Sequence, residues 1–522
     1  MRESQVLRIG IDVGGTNTDA AVMSGREVLS STKAPTSSDV ITGIVAAVTA
    51  AGAEHDLGRA DAVVIGTTHF INAIVSASGL VPVVALRLCT DDPTLGPFTD
   101  WPTALAATVN GGVRFASGGH QFDGRTLNAL DEDGIRSVAT ELRVQGRRHV
   151  AITAVFSPVS GDHEIRAAEI VREAHPEVSI TMSHEVGRVG ILERENAAIL
   201  NECLRPMAIS VVDGLVAAIR DIGIDAGIYL SQNDGTLMSL ERARRYPIFT
   251  IASGPTNSMR GAAFLTDATD AIVVDVGGTT TDVGMLRGGY PRESMVAADL
   301  GGVRTNFRIP DVSSLGIGGG SIVHPDRRHP VGPDSVGYEL TSRALAFGGD
   351  TLTLTDIAVA AGIVDIGDRE LVRHLPADLL AAALDDVRSR IADAVEEAKL
   401  SAASLPVIIV GGGAGLIPDL PGQTDVVRPA AGGVANAVGA ALASAGGEVD
   451  SIYSLQRQSR AEILTEARSL AISRAVLAGA APDTITIVDE EDVPLAHLPG
   501  GTALRVRVKA VGAVAIERDA HA

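Results

Sequence analysis

The sequence predicts an α/β protein of two pseudo-symmetric lobes followed by a small α+β unit. Three observations carry that expectation. First, a glycine-rich segment occurs twice, as IGIDVGGTNTDAAVM over Ile9 to Met23 and as IVVDVGGTTTDVGML over Ile272 to Leu286. The copies lie too far apart for a solenoid repeat and so mark two related lobes. Second, 522 residues exceed what one compact core accommodates. Third, 57 glycines with only 3% aromatics suit an α/β protein rich in backbone turns.

In each copy a short apolar strand precedes Asp-Val-Gly-Gly-Thr-x-Thr-Asp and a second apolar strand follows, the pattern of a β-hairpin. Gly14, Gly15, Gly277 and Gly278 carry no Cβ, so their amides can approach an anion closely. Thr16, Thr18, Thr279 and Thr281 add hydroxyl donors for phosphate oxygens, and Asn17 and Thr280 fill the variable position between them. Asp12 and Asp275 end their strands, where a carboxylate can hold a hydrated Mg²⁺ or orient a water. Asp19 and Asp282 close the turns and read as capping residues, with Asp282 also carried among the catalytic candidates.

The later chain adds parts. VIIVGGGAGLIP (Val407 to Pro418) is a buried-strand run that breaks at Gly411, Gly412 and Gly413, where a nucleoside can lie against bare backbone. GGVANAVGAALASAGG (Gly432 to Gly447) reads as a small-residue helix that lets another helix come close. Ile199, Leu200, Cys203 and Leu204 form the apolar stripe of a helix over ERENAAILNECL. From Glu448 a separate unit is expected, with a helix over Ser459 to Leu477 and two strands; the alternation in RVRVKAV predicts one buried face. The expected divisions are 1–190, 191–447 and 448–522.

Several function classes are disfavoured. A net charge of −21 opposes binding to a nucleic-acid backbone, and scarce aromatics oppose base stacking. Two cysteines, Cys89 and Cys203, both in apolar runs, supply neither a disulfide framework nor an iron–sulfur site. A strand-like segment from Val6 leaves no room for a signal peptide, and Ala430 to Ala445 is too punctuated to span a bilayer, so a cytoplasmic location is expected.

The order of phosphate loop, helix, phosphate loop, glycine loop and small-residue helix resembles the actin/hexokinase/chaperone-ATPase superfamily. That resemblance implies ATP with Mg²⁺ in a cleft between lobes. Asp12 to Asp19 and Asp275 to Asp282 would be the phosphate loops, and Gly411 to Pro418 the adenosine loop. Glu195 to Leu204 and Ala435 to Ala443 would be the connecting helices at the hinge. VVIGTTHFINAIV (Val63 to Val75), GGHQFDGR, EVGRVGILERENAAILN, ASGPTNSMRGAA and LGIGGGSI further resemble the hydantoinase A/oxoprolinase family, over roughly Leu7 to Ser444. The family implies ATP-dependent opening of a cyclic amide such as a hydantoin or 5-oxoproline. It also implies a separate B-type subunit, hence a homo- or hetero-oligomer. Ile71, and Ser76-Ala77, depart from the family pattern on the substrate side.

Substrate candidates follow. His69, at an apparent strand end after Gly66-Thr67-Thr68, reads as a substrate ligand or base, or equally as an ordinary hydrogen-bonded histidine; Asn72 shares its segment. Gly318, Gly319 and Gly320 suggest a further anion or substrate loop, because clustered glycines are costly to order. Glu193, Arg194 and Glu195 read as an exposed helix start, with a role in the cleft as the alternative and Glu193 as the substrate candidate. His120 and Asp123 are two metal-ligand types, though stabilisation of their loop with Arg125 is the favoured reading. A small-molecule kinase and a nucleotide-switch or reactivating ATPase are the rival functions.

Overall fold

The computed structural model describes residues 6–515 apart from 15, 36–39, 90–93, 295–296, 308, 400–403, 457 and 496–502. The expected α/β, two-lobed architecture is present. Each copy of the repeat is an antiparallel hairpin. Leu7–Val13 pairs Asn17–Ser24 with Asp12 opposite Asp19, and Ala271–Val276 pairs Thr281–Arg287 with Asp275 opposite Asp282. The likeness extends one strand further: the first strand of each hairpin also pairs in parallel, with Ala62–Thr67 in one lobe and Val407–Val410 in the other. Apolar runs such as VVIG and VIIV are buried on both faces there, as parallel strands require.

The first hairpin lies in a nine-stranded sheet and the second in a six-stranded one. Between Ala62–Thr67 and Gly227–Ser231 the chain inserts an all-parallel four-stranded sheet, ordered Asn110–Ser117, Val83–Cys89, His149–Ala154, Ser179–Met182. A 31-residue helix, Ile191–Asp221, then returns the chain, burying Ile199, Leu200, Cys203 and Leu204 against Phe70, Val83 and Trp101. Cys89 and Cys203 are both buried. Among the described residues no helix is long and apolar enough to cross a membrane.

Two expectations change. Glu195 to Leu204 belongs to that long helix and packs within the first lobe. The partner of the small-residue helix Ala435–Ala441 is instead Ser253–Thr266. Their backbones nearly touch: a Cβ added at Gly261 would strike the Ala435 carbonyl, and one at Gly439 the Asn257 carbonyl, far inside the 3.0 Å that real Cβ atoms keep. Gly10 makes the same close approach to the Ala437 carbonyl from the first strand.

The C-terminal segment forms the expected helix, Arg460–Leu477, with a Ser459–Glu462 capping box. Its strands continue the nine-stranded sheet: Ser444–Ser454 pairs Thr236–Ser239 on one side and Ala503–Gly512 on the other. RVRVKAV is buried on both faces, not one. Arg507 and Lys509 are 5% and 6% exposed because acids meet them there: Glu448, Asp489 and Glu293 pair with Arg507, and Asp234 and Glu293 with Lys509.

Gly439→Ala should therefore lose about 3 kcal/mol of stability, the upper end for an overpacked core. Thermal unfolding checks this; an unchanged Tm would mean that the two helices can part without cost.

Candidate functional site

The helix crossing brings both glycine loops to one place. Thr16 of the first loop lies so near Gly278 of the second that a side chain at Gly278 would collide with the Thr16 hydroxyl. Asp12 is 4% exposed; one carboxylate oxygen accepts from Asn436 Nδ2 at 3.2 Å, and the other has no partner in hydrogen-bond geometry. A Cβ at Gly66 would be 2.5 Å from Asp12 Oδ1 and 2.7 Å from Asn257 Nδ2, so Gly66 leaves room for both groups. Asn257 Nδ2 and Oδ1, Ser258 Oγ and Asn436 Oδ1 are also buried without partners. Asn257 faces Asp12 and the next residue, Ser258, faces Asp275, so one helical turn serves both loops. Unsatisfied buried polar atoms are costly, and these four, with Asp12 Oδ1 itself, form a polar cradle.

Burial, then the charge of Asp19, pushes the Asp12 carboxyl up to about 6. Burial, then Asp282 and Asp12, pushes Asp275 up to about 7. Asp19 and Asp282 are raised by burial as well, but their partners differ. Asp19 holds Lys33 Nζ at 2.7 Å through both oxygens, whereas Asp282 accepts from the Ser314 hydroxyl. Lys33 carries no motif and escapes sequence reading; its one signal is rarity, since the chain has three lysines against forty arginines. Asn257 and Asn436 were legible only as members of blocks with no assigned chemistry.

The other expected loop residues separate into those facing the opening and those beneath it. Gly14 and Gly277 spend their amides closing the two turns, on Asn17 O at 3.0 Å and Thr280 O at 2.8 Å. Thr18 and Thr281 are fully buried, and the Thr281 hydroxyl donates to Ile317 O at 2.7 Å, so its hydroxyl proton is already committed. Thr16, Asn17, Gly278 and Thr279 are half-buried and Thr280 is exposed. Gly15 lies outside the described residues. In the third loop, Gly411 donates to Gly432 O at 2.9 Å and Gly413 to Val276 O at 2.8 Å, which seats the loop on the second hairpin. Gly411 has φ +90, and a side chain there would run into the Asp275 carboxylate.

The Gly318–Gly320 expectation is corrected. Gly318 N donates to Ser321 Oγ at 2.8 Å, Gly319 N to Gly277 O at 3.1 Å and Gly320 N to Gly278 O at 2.7 Å. All three amides are committed, and the segment buttresses the second loop instead of offering a new anion site. The exposed helix start is corrected too: Arg194 and Glu195 are each 1% exposed. Glu195 pairs with Arg87, and Arg194 donates to Ser183 Oγ at 2.9 Å and Ala154 O at 2.6 Å, under the carboxyl ends of the parallel strands. Glu193 is half-buried and lies 3.6 Å from Arg304.

His69 opens a short helix, His69–Ser76, at the end of the strand beside the first loop, and Thr68 donates to Val13 O through amide and hydroxyl at 3.3 and 3.1 Å. Burial holds its imidazole below the usual histidine range, hence neutral at pH 7. Asn72 is exposed on the same helix. His120 is buried with its ring 4.3 Å from His163, while Asp123 pairs with Arg125 at 2.7 Å; the two do not form a metal pair. Among the described residues no group of three or more His, Cys, Asp or Glu is placed to hold a metal ion.

Two pseudo-symmetric lobes whose glycine loops converge define the actin-like ATPase fold, and solved structures agree. The structure of ATP-dependent caprolactamase from Pseudomonas jessenii superimposes with TM-score 0.76 at 20% identity, over 97% of this chain and 87% of that one. Nucleotide-free acetone carboxylase gives 0.71 at 19% identity, over 98% and 88%. The model of the hydantoinase/oxoprolinase N-terminal region matches residues 8–175 and that of hydantoinase/oxoprolinase matches 194–370, and the chain belongs to this family. Caprolactamase subunit alpha of Pseudomonas jessenii is 29% identical over 74% of this chain and 59% of its own length. The acetophenone carboxylase gamma subunit of Aromatoleum aromaticum is 25% identical over 70% and 54%. The chain thus matches little more than half the length of these curated relatives.

Because Asp12 and Asp275 titrate above their unfolded values, their protonated forms stabilise the fold. That stability is fully present below about pH 4 and lost as pH rises through about 6 and about 7. The ligand-free protein should therefore weaken from pH 5 to pH 8 in denaturant titrations, and Asp275→Asn should flatten the decline. A variant with the parental pH profile would show that Asp275 is not its source.

Proposed function

We propose that this chain is the nucleotide-handling part of an ATP-dependent enzyme that opens a cyclic amide such as a hydantoin or 5-oxoproline. The observation that carries this reading is the convergence of both glycine loops on Asp12 and Asp275, within a cradle of unpartnered polar atoms. Family membership and the ATP-dependent caprolactamase among its structural relatives support it.

In this reading Thr16, Asn17, Gly278, Thr279 and Thr280 line the phosphate channel. Gly411, Gly412 and Gly413 form the nucleoside's seat. Mg²⁺ prefers oxygen ligands and keeps several waters, which suits Asp12 and Asp275 backed by Asn257, Ser258 and Asn436. When bound it would neutralise phosphate charge. An amide carbonyl is a poor electrophile, and transfer of the γ-phosphoryl group to its oxygen, with loss of ADP, removes that resistance. Water then adds at carbon, the ring C–N bond breaks as nitrogen takes a proton, and a second water releases phosphate from the acyl group. The protein supplies position and charge compensation. Asp275, beside Asp282, would act as an ionised carboxylate that orients a water of the ion's shell. His69, neutral and next to the first loop, is placed to act on the ring with Asn72.

The naming of two relatives as subunits supports a separate B-type partner in a hetero-oligomer. Dependence on ATP supports a cytoplasmic location.

Incubation of the purified chain with Mg·ATP and a panel of hydantoins, 5-oxoproline and lactams, with and without a co-expressed B-type partner, tests the reading through ADP release. Ring-dependent release is expected. ATP binding that no ring stimulates, even with the partner, would favour the kinase or switch alternatives. Asp12→Asn and Asp275→Asn should each lower ATP turnover at least about a hundredfold while the far-ultraviolet spectrum stays native; parental turnover in both would end the two-loop account.

A further inference from the structure

Lys33 stands outside both copies of the repeat yet reaches the place where they meet. It lies directly opposite Asp19 on the neighbouring strand, Glu27–Pro35, and its ammonium rests 2.7 Å from both Asp19 oxygens. A cross-strand ion pair would account for that contact alone. Two further observations exceed it. The second copy offers an internal comparison: Asp282 occupies the position of Asp19 and is satisfied by the Ser314 hydroxyl, so closing this turn does not require a cation. The lysine stem also extends over the glycine loop of the other lobe. A Cβ at Gly412 would be 3.2 Å from Nζ, and one at Gly433 would be 3.9 Å from Cε, so the tip of Lys33 lies close against Gly412 and within ordinary contact distance of Gly433.

The ammonium therefore sits between the first phosphate loop and the nucleoside seat, with its side chain 32% exposed. It is the cation whose field reaches Asp12, Asp19 and Asp275 together. Four carboxylates line the loops, and a polyphosphate adds further negative charge that one divalent ion offsets only in part. An ammonium on a flexible stem, close to this channel and held by a single carboxylate, is positioned to meet that charge.

We propose that Lys33 is a nucleotide phosphate ligand, resting on Asp19 when the site is empty and transferring to the phosphate chain when nucleotide enters. This rests on the nucleotide reading above. Asp19 then competes with the phosphates for one ammonium, and the two residues have opposite effects on affinity.

Calorimetric titration of ATP, ADP and adenosine into the full chain, Lys33→Met, Asp19→Asn and the double variant tests the exchange. Lys33→Met should weaken ATP and ADP about ten- to a hundredfold and leave adenosine unchanged. Asp19→Asn should bind ATP as tightly as the parent or more tightly. The double variant, free of any unpaired charge, should recover thermal stability without recovering ATP affinity. Equal losses in both single variants, or a parental ratio of ATP to adenosine affinity in Lys33→Met, would leave Lys33 a structural cross-strand partner and overturn the proposal. Failure of the parent chain to bind ATP would instead remove the nucleotide reading itself.

Discussion

The molecule depends on one steric permission: the helices Ser253–Thr266 and Ala435–Ala441 cross with almost no space between their backbones. Gly261 and Gly439 make the crossing possible, and Gly10 lets the first strand lie against the same helix. Everything at the site follows from that approach. Asn436 reaches Asp12 because its helix is pressed to the first strand, and Asn257 and Ser258 turn toward the two aspartates because their helix lies between the lobes.

The arrangement gives up stability for pre-organisation. Carboxylates pushed up by burial and mutual repulsion, with amide and hydroxyl groups left without partners, describe a site that is electrostatically incomplete on its own. An apolar lining would fold more securely but would offer nothing to a cation or to phosphate oxygens. Elsewhere several buried charges are met by opposite ones. Arg507 and Lys509 are enclosed by Glu448, Asp489, Glu293 and Asp234, and Glu195 by Arg87. The contrast separates the site from the frame.

Much of this was legible in the sequence where a local pattern dictates local structure. The two hairpins, the glycine break after Val407–Val410 and the helix expected from Ser459 follow from short motifs, whereas the small-residue helix expected to reach Gly447 stops at Ala441 and gives way to a strand at Ser444. What was not legible depends on distant partners. The buried Arg194 and Glu195 look like any charged helix start until Arg87 and Ser183 arrive from other strands. RVRVKAV alternates as a half-exposed strand would, and only acids from four other segments allow its charged face to be covered. Gly318–Gly320 resembles an anion loop because glycine clusters serve both ligands and close backbone packing; here the neighbour is Gly277–Gly278. Lys33 had no pattern at all, since its meaning comes from the strand register beside Asp19.

The strand Ser444–Ser454 begins three residues after the crossing helix ends at Ala441. It then runs through the full register of Ala503–Gly512, which carries the outer strand Thr486–Leu495. Glu293, from the second half of the chain, grips the same strands through Arg507 and Lys509. The far margin of the sheet is thereby tied to the crossing helix by a continuous hydrogen-bonded ribbon, so the geometry of the site and the contour of that distant edge are set by one backbone path.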